Sequence, residues 1–253
     1  MGKQARRTSR RTRNAKAAQQ RRARTRFRLL AGAGGLVILG LVVAIAVTLV
    51  NAAGGGDPPT TGERQVVAPA NVTATGAILV GKAAAPVRLE VYLDYMCPFC
   101  GRFERANSAE LERLVADGTV RLELYALSFL DSASAGSRYS TRTANAIATV
   151  ADRAPDKVLR FNAALFARQP AEGSHGLSND EIATTALGAG VPADVVSLFT
   201  EGRFEPWVAK VTETAVNGGI TATPTVRLNG RAFEGDLYTA GPLTQAIIAA
   251  KGE

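Results

Sequence analysis

Cys97-Pro98-Phe99-Cys100 is the stretch of sequence that decides the fold, and its two cysteines are the only ones in the chain. A strand-like apolar run at residues 87–93 precedes it, and a helix-like run at residues 99–115 follows it. Cys97 is therefore predicted to lie beside the unpaired N–H groups of a helix start, with Pro98 as the first helical residue. Those groups and the helix dipole stabilise a thiolate, which is the nucleophile in disulfide exchange. The stretch predicts a redox-active dithiol.

Three other interpretations of the cysteine pair are open. A structural zinc site needs four ligands, but the chain offers two cysteines and the single histidine His175, which we place in a surface loop. No metal site is therefore predicted. A purely structural disulfide would close a very short loop and contribute little stability. Two unrelated buried thiols could also fall at this spacing, but Pro98 favours the redox interpretation over all three.

The net charge of +8 is concentrated in the first 28 residues, which contain twelve Lys or Arg residues and no acidic residue. Without these twelve, the chain has 18 basic residues against 22 acidic ones, so the remainder is acidic. A nucleic-acid-binding domain would need a basic face on a folded module, and none is visible. We therefore predict no nucleic-acid partner.

Residues 29–50 form an uncharged apolar run of 22 residues, which is the length needed to cross a bilayer as one helix. The basic residues 1–28 before it place the N-terminus in the cytoplasm by the positive-inside rule. We expect a single-pass cell-membrane protein whose catalytic domain is extracytoplasmic, where disulfides persist. A cleaved signal peptide is the alternative, although the apolar run is long for one.

Residues 51–67 read as a flexible linker rich in Gly, Pro and Thr, and residues 68–253 as one globular domain. Strands are predicted at residues 77–80, 87–93, 120–127, 225–228 and 231–233. Helices are predicted at residues 98–116, 141–151, 156–168, 178–187, 193–200, 205–217 and 242–250. This order predicts an α/β fold of the thioredoxin-like type, with a helical insertion at about residues 132–204.

The domain resembles the DsbA-like thiol–disulfide oxidoreductases of the thioredoxin superfamily, in what would be a membrane-anchored bacterial form. Three segments carry the resemblance: GKAAAPV at residues 81–87, DYMCPFC at residues 94–100 and GITATPTV at residues 219–226. The resemblance implies that Pro224 is preceded by a cis peptide bond and lies against the sulfurs. It also implies that the backbone of Thr223 pairs with a bound substrate chain.

The resemblance and the sulfur chemistry together imply a catalytic cycle. Cys97 is expected to be the exposed, acidic thiol and Cys100 the shielded partner. Apart from this redox-active disulfide, no cofactor is expected. The expected partners are unfolded or cysteine-containing secreted proteins, and a membrane quinone-linked thiol oxidase for recharging.

Phe99 departs from the Cys-Pro-His-Cys motif of the family's best-known oxidases. A histidine at this position can add charge or a hydrogen bond near the thiolate, whereas Phe cannot, so a less oxidising pair is expected. Pro98 and Phe99 are therefore predicted to tune the motif.

Four further residues lie near the motif. Glu90 or Asp94 could assist proton transfer at Cys100, but a solvated or capping role is favoured. Tyr95 and Met96 could line a peptide groove, but packing in the core is favoured.

The sequence leaves the direction of the reaction open. The leading hypothesis is an oxidase that forms disulfides in secreted proteins. The alternatives are an extracytoplasmic reductase or isomerase, for example one that supports cytochrome c maturation, and a non-catalytic thioredoxin-like binding module.

Overall fold

A five-stranded mixed sheet forms the centre of the fold, in a computed structural model that describes residues 66–252. The strands lie in the order β1-β3-β2-β4-β5. Strands β2 and β3 are parallel, and the other neighbours are antiparallel. The bounds are Ile78–Val80 for β1, Val87–Leu93 for β2, Val120–Ala126 for β3, Thr225–Leu228 for β4 and Arg231–Ala232 for β5.

Helix α1, Pro98–Ala116, connects the two parallel strands. Pro98 occupies the first turn, where its missing N–H costs no hydrogen bond. Phe103, Leu111 and Leu114 are buried along one face of the helix. The helix ends at Ala116 with Asp117 as its C-cap, and the βαβ unit predicted from the sequence is confirmed.

A block of helices lies between β3 and β4, as the sequence predicts. The helices are α2 (Tyr139–Arg153), α3 (Val158–Ala167), α4 (Asn179–Gly188), α5 (Ala193–Ser197) and α6 (Glu205–Asn217). Helix α4 begins with a capping box: the Glu181 N–H donates to Ser178 Oγ, and the Ser178 N–H donates to the Glu181 carboxylate.

The chain returns to the sheet through residues 218–224 and then forms a hairpin. Its two-residue turn is Asn229-Gly230, with φ of 49° and 84°. Positive φ at both positions is the geometry that this residue pair favours. Helix α7, Pro242–Ala250, follows and packs against α1.

The two faces of the sheet have different environments. Val91 and Leu93 of β2 face α1 and α3 across a cavity of about 220 Å³. Glu90 and Tyr92, which alternate with them, line a second cavity on the opposite face, beside the end of α6.

The basic tail at residues 1–28, the transmembrane helix expected at residues 29–50 and most of the linker at residues 51–67 lie outside the described residues. Within residues 66–252, no helix has both the length and the apolar character needed to cross a membrane.

Candidate active site

Cys97 is the N-cap residue of α1, in extended conformation with φ −71° and ψ 116°. The backbone N–H groups of Phe99 and Cys100 point to its sulfur. The Cys97 sulfur lies 3.2 Å from the carbonyl oxygen of Thr223, to which it donates when it is protonated. The Thr223–Pro224 peptide bond is cis, as the resemblance implies. The end of β2, the start of α1 and the loop before β4 thus meet at one sulfur.

The pKa values of the two thiols are shifted in opposite directions. The pKa of Cys97 is lowered to about 6, mainly by a hydrogen bond from the Cys100 thiol and further by the side chain of Thr223 and the N–H groups of the first helical turn, although burial opposes the shift. Burial raises the pKa of Cys100 well above its ordinary value, and the Cys97 thiolate adds to this effect. At neutral pH the site therefore holds one thiolate and one thiol.

Cys97 is less exposed than the sequence analysis predicted. Cys97 is 5% exposed and Cys100 is fully buried, and both are in the dithiol form. The loop that carries Thr223 lies directly over the Cys97 sulfur, which accounts for the low exposure. Cys97 remains the more accessible of the pair.

Phe99 is the exposed member of the motif, with half of its surface in solvent. Its ring centroid lies 6.0 Å from that of Tyr238. The Arg102 guanidinium lies over both rings, 5.7 Å from the Phe99 centroid and 4.6 Å from the Tyr238 centroid. An aromatic and cationic surface therefore borders Cys97.

Gln169, just beyond the end of α3, holds the turn that precedes α1. Its side-chain amide donates to the carbonyl oxygens of Cys97 at 2.8 Å and Tyr95 at 3.1 Å. The amide oxygen lies over Gly101, where an added Cβ would overlap with it. The helical insertion thus positions the Cys-Pro-Phe-Cys turn through one side chain.

Asp94 is fully buried, so the predicted solvated role is wrong. Its carboxylate accepts hydrogen bonds from the Met96 N–H, the Leu130 N–H and the Ser140 hydroxyl. Burial nevertheless raises its pKa to about 6. Asp94 caps backbone groups on two neighbouring segments, which agrees with the capping role that was also predicted.

Glu90 is also buried, and the predicted solvated role is wrong for it too. It forms an ion pair with Arg88 and accepts a hydrogen bond from the Tyr92 hydroxyl. Glu90 lines the cavity on the sheet face opposite α1. Cys100 lies on α1, so the sheet separates the two side chains.

A buried acid that the sequence did not predict lies on α1 itself. Glu104, one helical turn after Cys100, is 8% exposed and lines the cavity between α1 and α3. Burial raises its pKa to about 7, although a hydrogen bond from Asn162 opposes the shift.

The packing predictions for Tyr95 and Met96 are confirmed, since both are buried. The Tyr95 hydroxyl donates to Asn162 Oδ1 at 2.9 Å, and its ring packs on Phe166. His175 is exposed in a loop, as predicted.

Gln169, Glu104 and Tyr238 were not identified from the sequence. Gln169 lies 69 positions beyond Cys100, and no local pattern links the two. Glu104 could have been found from helical periodicity, because it follows Cys100 by four positions and shares its face of α1.

A buried dithiol at a helix start, with one thiol acidified and the other kept neutral beside a cis-proline loop, defines a thiol–disulfide oxidoreductase of thioredoxin fold. A family model described as Thioredoxin matches residues 73–247. The chain belongs to this family and is a DsbA-like protein disulfide oxidoreductase.

Solved structures of oxidoreductases agree with this assignment. The reduced disulfide bond oxidoreductase DsbG from Mycobacterium tuberculosis is 32% identical, with a TM-score of 0.61 over 70% of this chain and 88% of that one. Reduced DsbA from the same organism is 29% identical, with a TM-score of 0.57 over 69% and 98%. The thiol-disulfide oxidoreductase MdbA from Actinomyces oris is 25% identical, with a TM-score of 0.63 over 72% and 88%.

Curated relatives include the serine/threonine-protein kinase PknE of Mycobacterium tuberculosis and Mycobacterium bovis. The identity is 31% over 129 residues, which is 49% of this chain and 23% of the kinase. The chain spans less than a quarter of the length of these relatives.

Proposed function

We propose that this protein is an extracytoplasmic oxidase that forms disulfides in secreted proteins, with Cys97 as the reactive cysteine and Cys100 as its partner. The observation that carries the proposal is the placement of the two thiols: Cys97 is the N-cap of α1 beside the Thr223 carbonyl, and Cys100 is fully buried three residues further along. This placement lowers the pKa of Cys97 to about 6 and raises that of Cys100. A stabilised Cys97 thiolate is a good leaving group, so the reduced enzyme is favoured and the disulfide is a ready oxidant.

The cycle begins with the Cys97–Cys100 disulfide. A substrate thiolate attacks the Cys97 sulfur, the bond between the enzyme sulfurs breaks, and its electron pair goes to Cys100. Cys100 takes up a proton, because its raised pKa disfavours the thiolate in its buried site. The product of this step is a mixed disulfide between Cys97 and the substrate.

A second substrate thiolate attacks the substrate sulfur of the mixed disulfide and releases Cys97 as a thiolate. The substrate has lost two electrons and gained a disulfide, and the enzyme has become a dithiol. Thr223 and Pro224 border Cys97 and would bind the substrate backbone during both steps.

The site residues can be tested directly. Cys97→Ser should abolish oxidation of a reduced model substrate. In Cys100→Ser, the Cys97 thiolate should still attack a model substrate that carries a disulfide, release one substrate thiolate and accumulate the mixed disulfide, visible by mass spectrometry. If Cys97→Ser kept full activity, the proposed roles would be overturned.

The cellular location is part of the proposal. Residues 29–50 would anchor the chain in the cell membrane, and the basic residues 1–28 would hold the N-terminus in the cytoplasm. A membrane quinone-linked thiol oxidase would then reoxidise the dithiol. Labelling of Cys97 in intact cells by a membrane-impermeant maleimide supports this arrangement, and labelling only after lysis contradicts it.

Phe99 favours a second candidate function, that of an extracytoplasmic reductase. Its side chain brings no charge to the Cys97 thiolate, so the reduced form is less stabilised than a neighbouring cation would make it. The reduction potential separates the two functions.

A further inference from the structure

A cavity of about 220 Å³ lies between the sheet, α1 and α3. Its walls are mostly apolar and include Val91, Leu93, Leu122 and Leu124 from the sheet, Phe103 from α1 and Leu159 from α3. Neither Cys97 nor Cys100 lines this cavity, so the dithiol chemistry leaves it without a role. Protein interiors are close-packed, and a void of this size is uncommon in them. We refer to it as the α1–α3 cavity.

The α1–α3 cavity is large enough for a small organic molecule. An apolar cavity of about 150 Å³ in another protein already holds benzene. The α1–α3 cavity is larger, and its lining includes Glu112 of α1 and Arg160 of α3, which are both exposed and so connect it with solvent. A ring with a short side chain therefore fits.

Glu104 places a carboxyl group in this apolar lining. It is buried, and Asn162 is its hydrogen-bond donor. The side-chain oxygen of Asn162 is occupied in turn by the Tyr95 hydroxyl. Within residues 66–252, Glu104 forms no ion pair with Lys, Arg or His. A carboxylate accepts about four hydrogen bonds, so a single donor leaves most of this capacity unused.

The charges of the lining favour a cation inside the α1–α3 cavity. Glu112 and Arg160 have opposite charges and are exposed, so solvent screens both of them. The remaining charge is that of Glu104, which is buried. An unpaired carboxylate in an apolar site is costly, and burial raises the pKa of Glu104 to about 7 for this reason. A cation beside the carboxylate removes that cost, whereas an anion adds to it.

We propose that the α1–α3 cavity binds a small apolar primary amine, whose ammonium group donates to the Glu104 carboxylate. The apolar part of the amine lies against Leu122 and Leu124 of the sheet. The Ser108 hydroxyl, one helical turn beyond Glu104 and also in the lining, accepts a second N–H. A primary ammonium has three donors and no acceptor, so it complements these oxygens. The site is separate from the dithiol, and the inference does not rest on the proposed function.

The test measures binding of radiolabelled 2-phenylethylamine to the full-length protein in detergent, by equilibrium dialysis at pH 8. Two competitors of similar shape are 2-phenylethanol, which is neutral, and 3-phenylpropionate, which is an anion. We expect the amine to bind at least about tenfold more tightly than the alcohol, the range of one hydrogen bond to a charged group. The anion should not compete.

Variants assign the binding to the α1–α3 cavity. Glu104→Gln keeps the shape of the side chain and removes its charge, so it should weaken amine binding at least about tenfold and change alcohol binding by less than about twofold. Glu112→Gln, exposed on the same helix, is the matched control and should keep the affinity of the wild type. Ala163→Leu adds volume to the wall of the cavity and should weaken the amine and the alcohol together.

The pH dependence of binding gives a second readout. Amine affinity of the wild type should fall as the pH is lowered from 8 through about 7, because Glu104 takes up a proton and loses its charge. Glu104→Gln should show no such fall. Glu112 and Arg160 are the other charged groups in the lining, and Glu112→Gln should keep the profile of the wild type.

The outcomes distinguish the inference from the proposed function. Equal amine affinity in Glu104→Gln and the wild type, or unaltered binding in Ala163→Leu, would overturn the inference, because the amine would then be held outside the cavity. Either result would leave the oxidoreductase intact, since neither cysteine lines the α1–α3 cavity.

Discussion

Cys97 and Cys100 share one helical turn but differ in which groups reach their sulfurs. Helix-start N–H groups, the Cys100 thiol and Thr223 surround Cys97 and favour its charged form. Cys100 is one turn further into the core, where burial favours the neutral form. The difference in reactivity between two identical residues thus comes from a shift of three positions along the helix.

The pH dependence of Cys97 alkylation tests this difference. The rate for the reduced protein with iodoacetamide should reach half its maximum at about pH 6, because the pKa is lowered to that value and the thiolate is the reactive form. Cys97→Ser should react very slowly at the same pH. A midpoint near pH 8.5, the ordinary value of a cysteine, would contradict the assignment.

Because Gln169 lies over Gly101, the effect of Gly101→Ala on stability should change sign when Gln169 is removed. Gly101→Ala should destabilise the wild type, because its Cβ would displace the Gln169 amide from the carbonyl oxygens of Cys97 and Tyr95. In a Gln169→Ala background the space is free, and the same change should stabilise the fold by up to about 1 kcal/mol through helix propensity. Urea unfolding of the four proteins measures both effects.

Additive effects in that cycle would show that Gln169 is not in contact with α1 at Gly101. A second readout is the pKa of Cys97, which should rise in Gln169→Ala because the Cys97 and Tyr95 carbonyl groups lose their donor. A merely structural role for Gln169 would leave that pKa unchanged.

At the residue scale, the sequence predicted those site residues whose positions depend only on their neighbours in the chain. Cys97, Cys100 and Pro98 were identifiable because the strand, the motif and the helix are contiguous. Gln169 and Tyr238 were not, because their relation to the motif is created by packing between distant segments. Asp94 was misjudged as solvated, since the sequence does not show that a carboxylate can be buried when three donors surround it.

At the scale of elements, the interface of α1 and α3 contains a titratable group. Glu104 is buried there next to Asn162 and lines a cavity together with Arg160 and Glu112. Because its pKa is raised to about 7, the folded state holds the proton more tightly than the unfolded state does. The contribution of Glu104 to stability should therefore be fully present below about pH 4 and should be lost as the pH rises through about 7.

Glu104→Gln removes this loss, since the amide cannot ionise. We expect the variant to match the wild type near pH 4.5 and to be more stable at pH 8 by roughly 1 to 3 kcal/mol, less than the full linkage limit. Denaturant unfolding at both values measures it. Glu112→Gln, exposed on the same helix, is the matched control and should change stability by less than about 0.5 kcal/mol. Equal pH dependence in Glu104→Gln and the wild type would refute the assignment.

Most element bounds followed from the sequence. β2, α1, α6, β4 and α7 begin and end at the predicted residues, because alternation, caps and prolines mark their ends. The segments after α2 and α5 differ in detail, since short 3-10 turns at Pro155–Lys157 and Phe199–Glu201 continue the helical pattern with tighter winding.

At the scale of the whole molecule, the Cys97 thiolate links folding to redox state. The lowered pKa of Cys97 adds stability to the reduced protein that is present at high pH and is lost as the pH falls through about 6. The disulfide form lacks this charge, and closing so short a loop adds little in return. The reduced protein should melt about 2 to 4 °C above the oxidised one at pH 7, a difference of roughly 1 kcal/mol.

Calorimetry of both forms at pH 7 and pH 4.5 checks this coupling, and the contribution of the thiolate should vanish at the lower pH. An oxidised protein that melts higher at pH 7 would instead favour the reductase function.

The measurement that tests the central claim most directly is the reduction potential of the Cys97–Cys100 pair, equilibrated against glutathione. The account predicts a reversible two-electron equilibrium at about −120 to −180 mV, the range of dedicated oxidants. A value near about −270 mV would contradict the oxidase and favour the reductase. A pair without any reversible equilibrium would contradict both and leave a binding module.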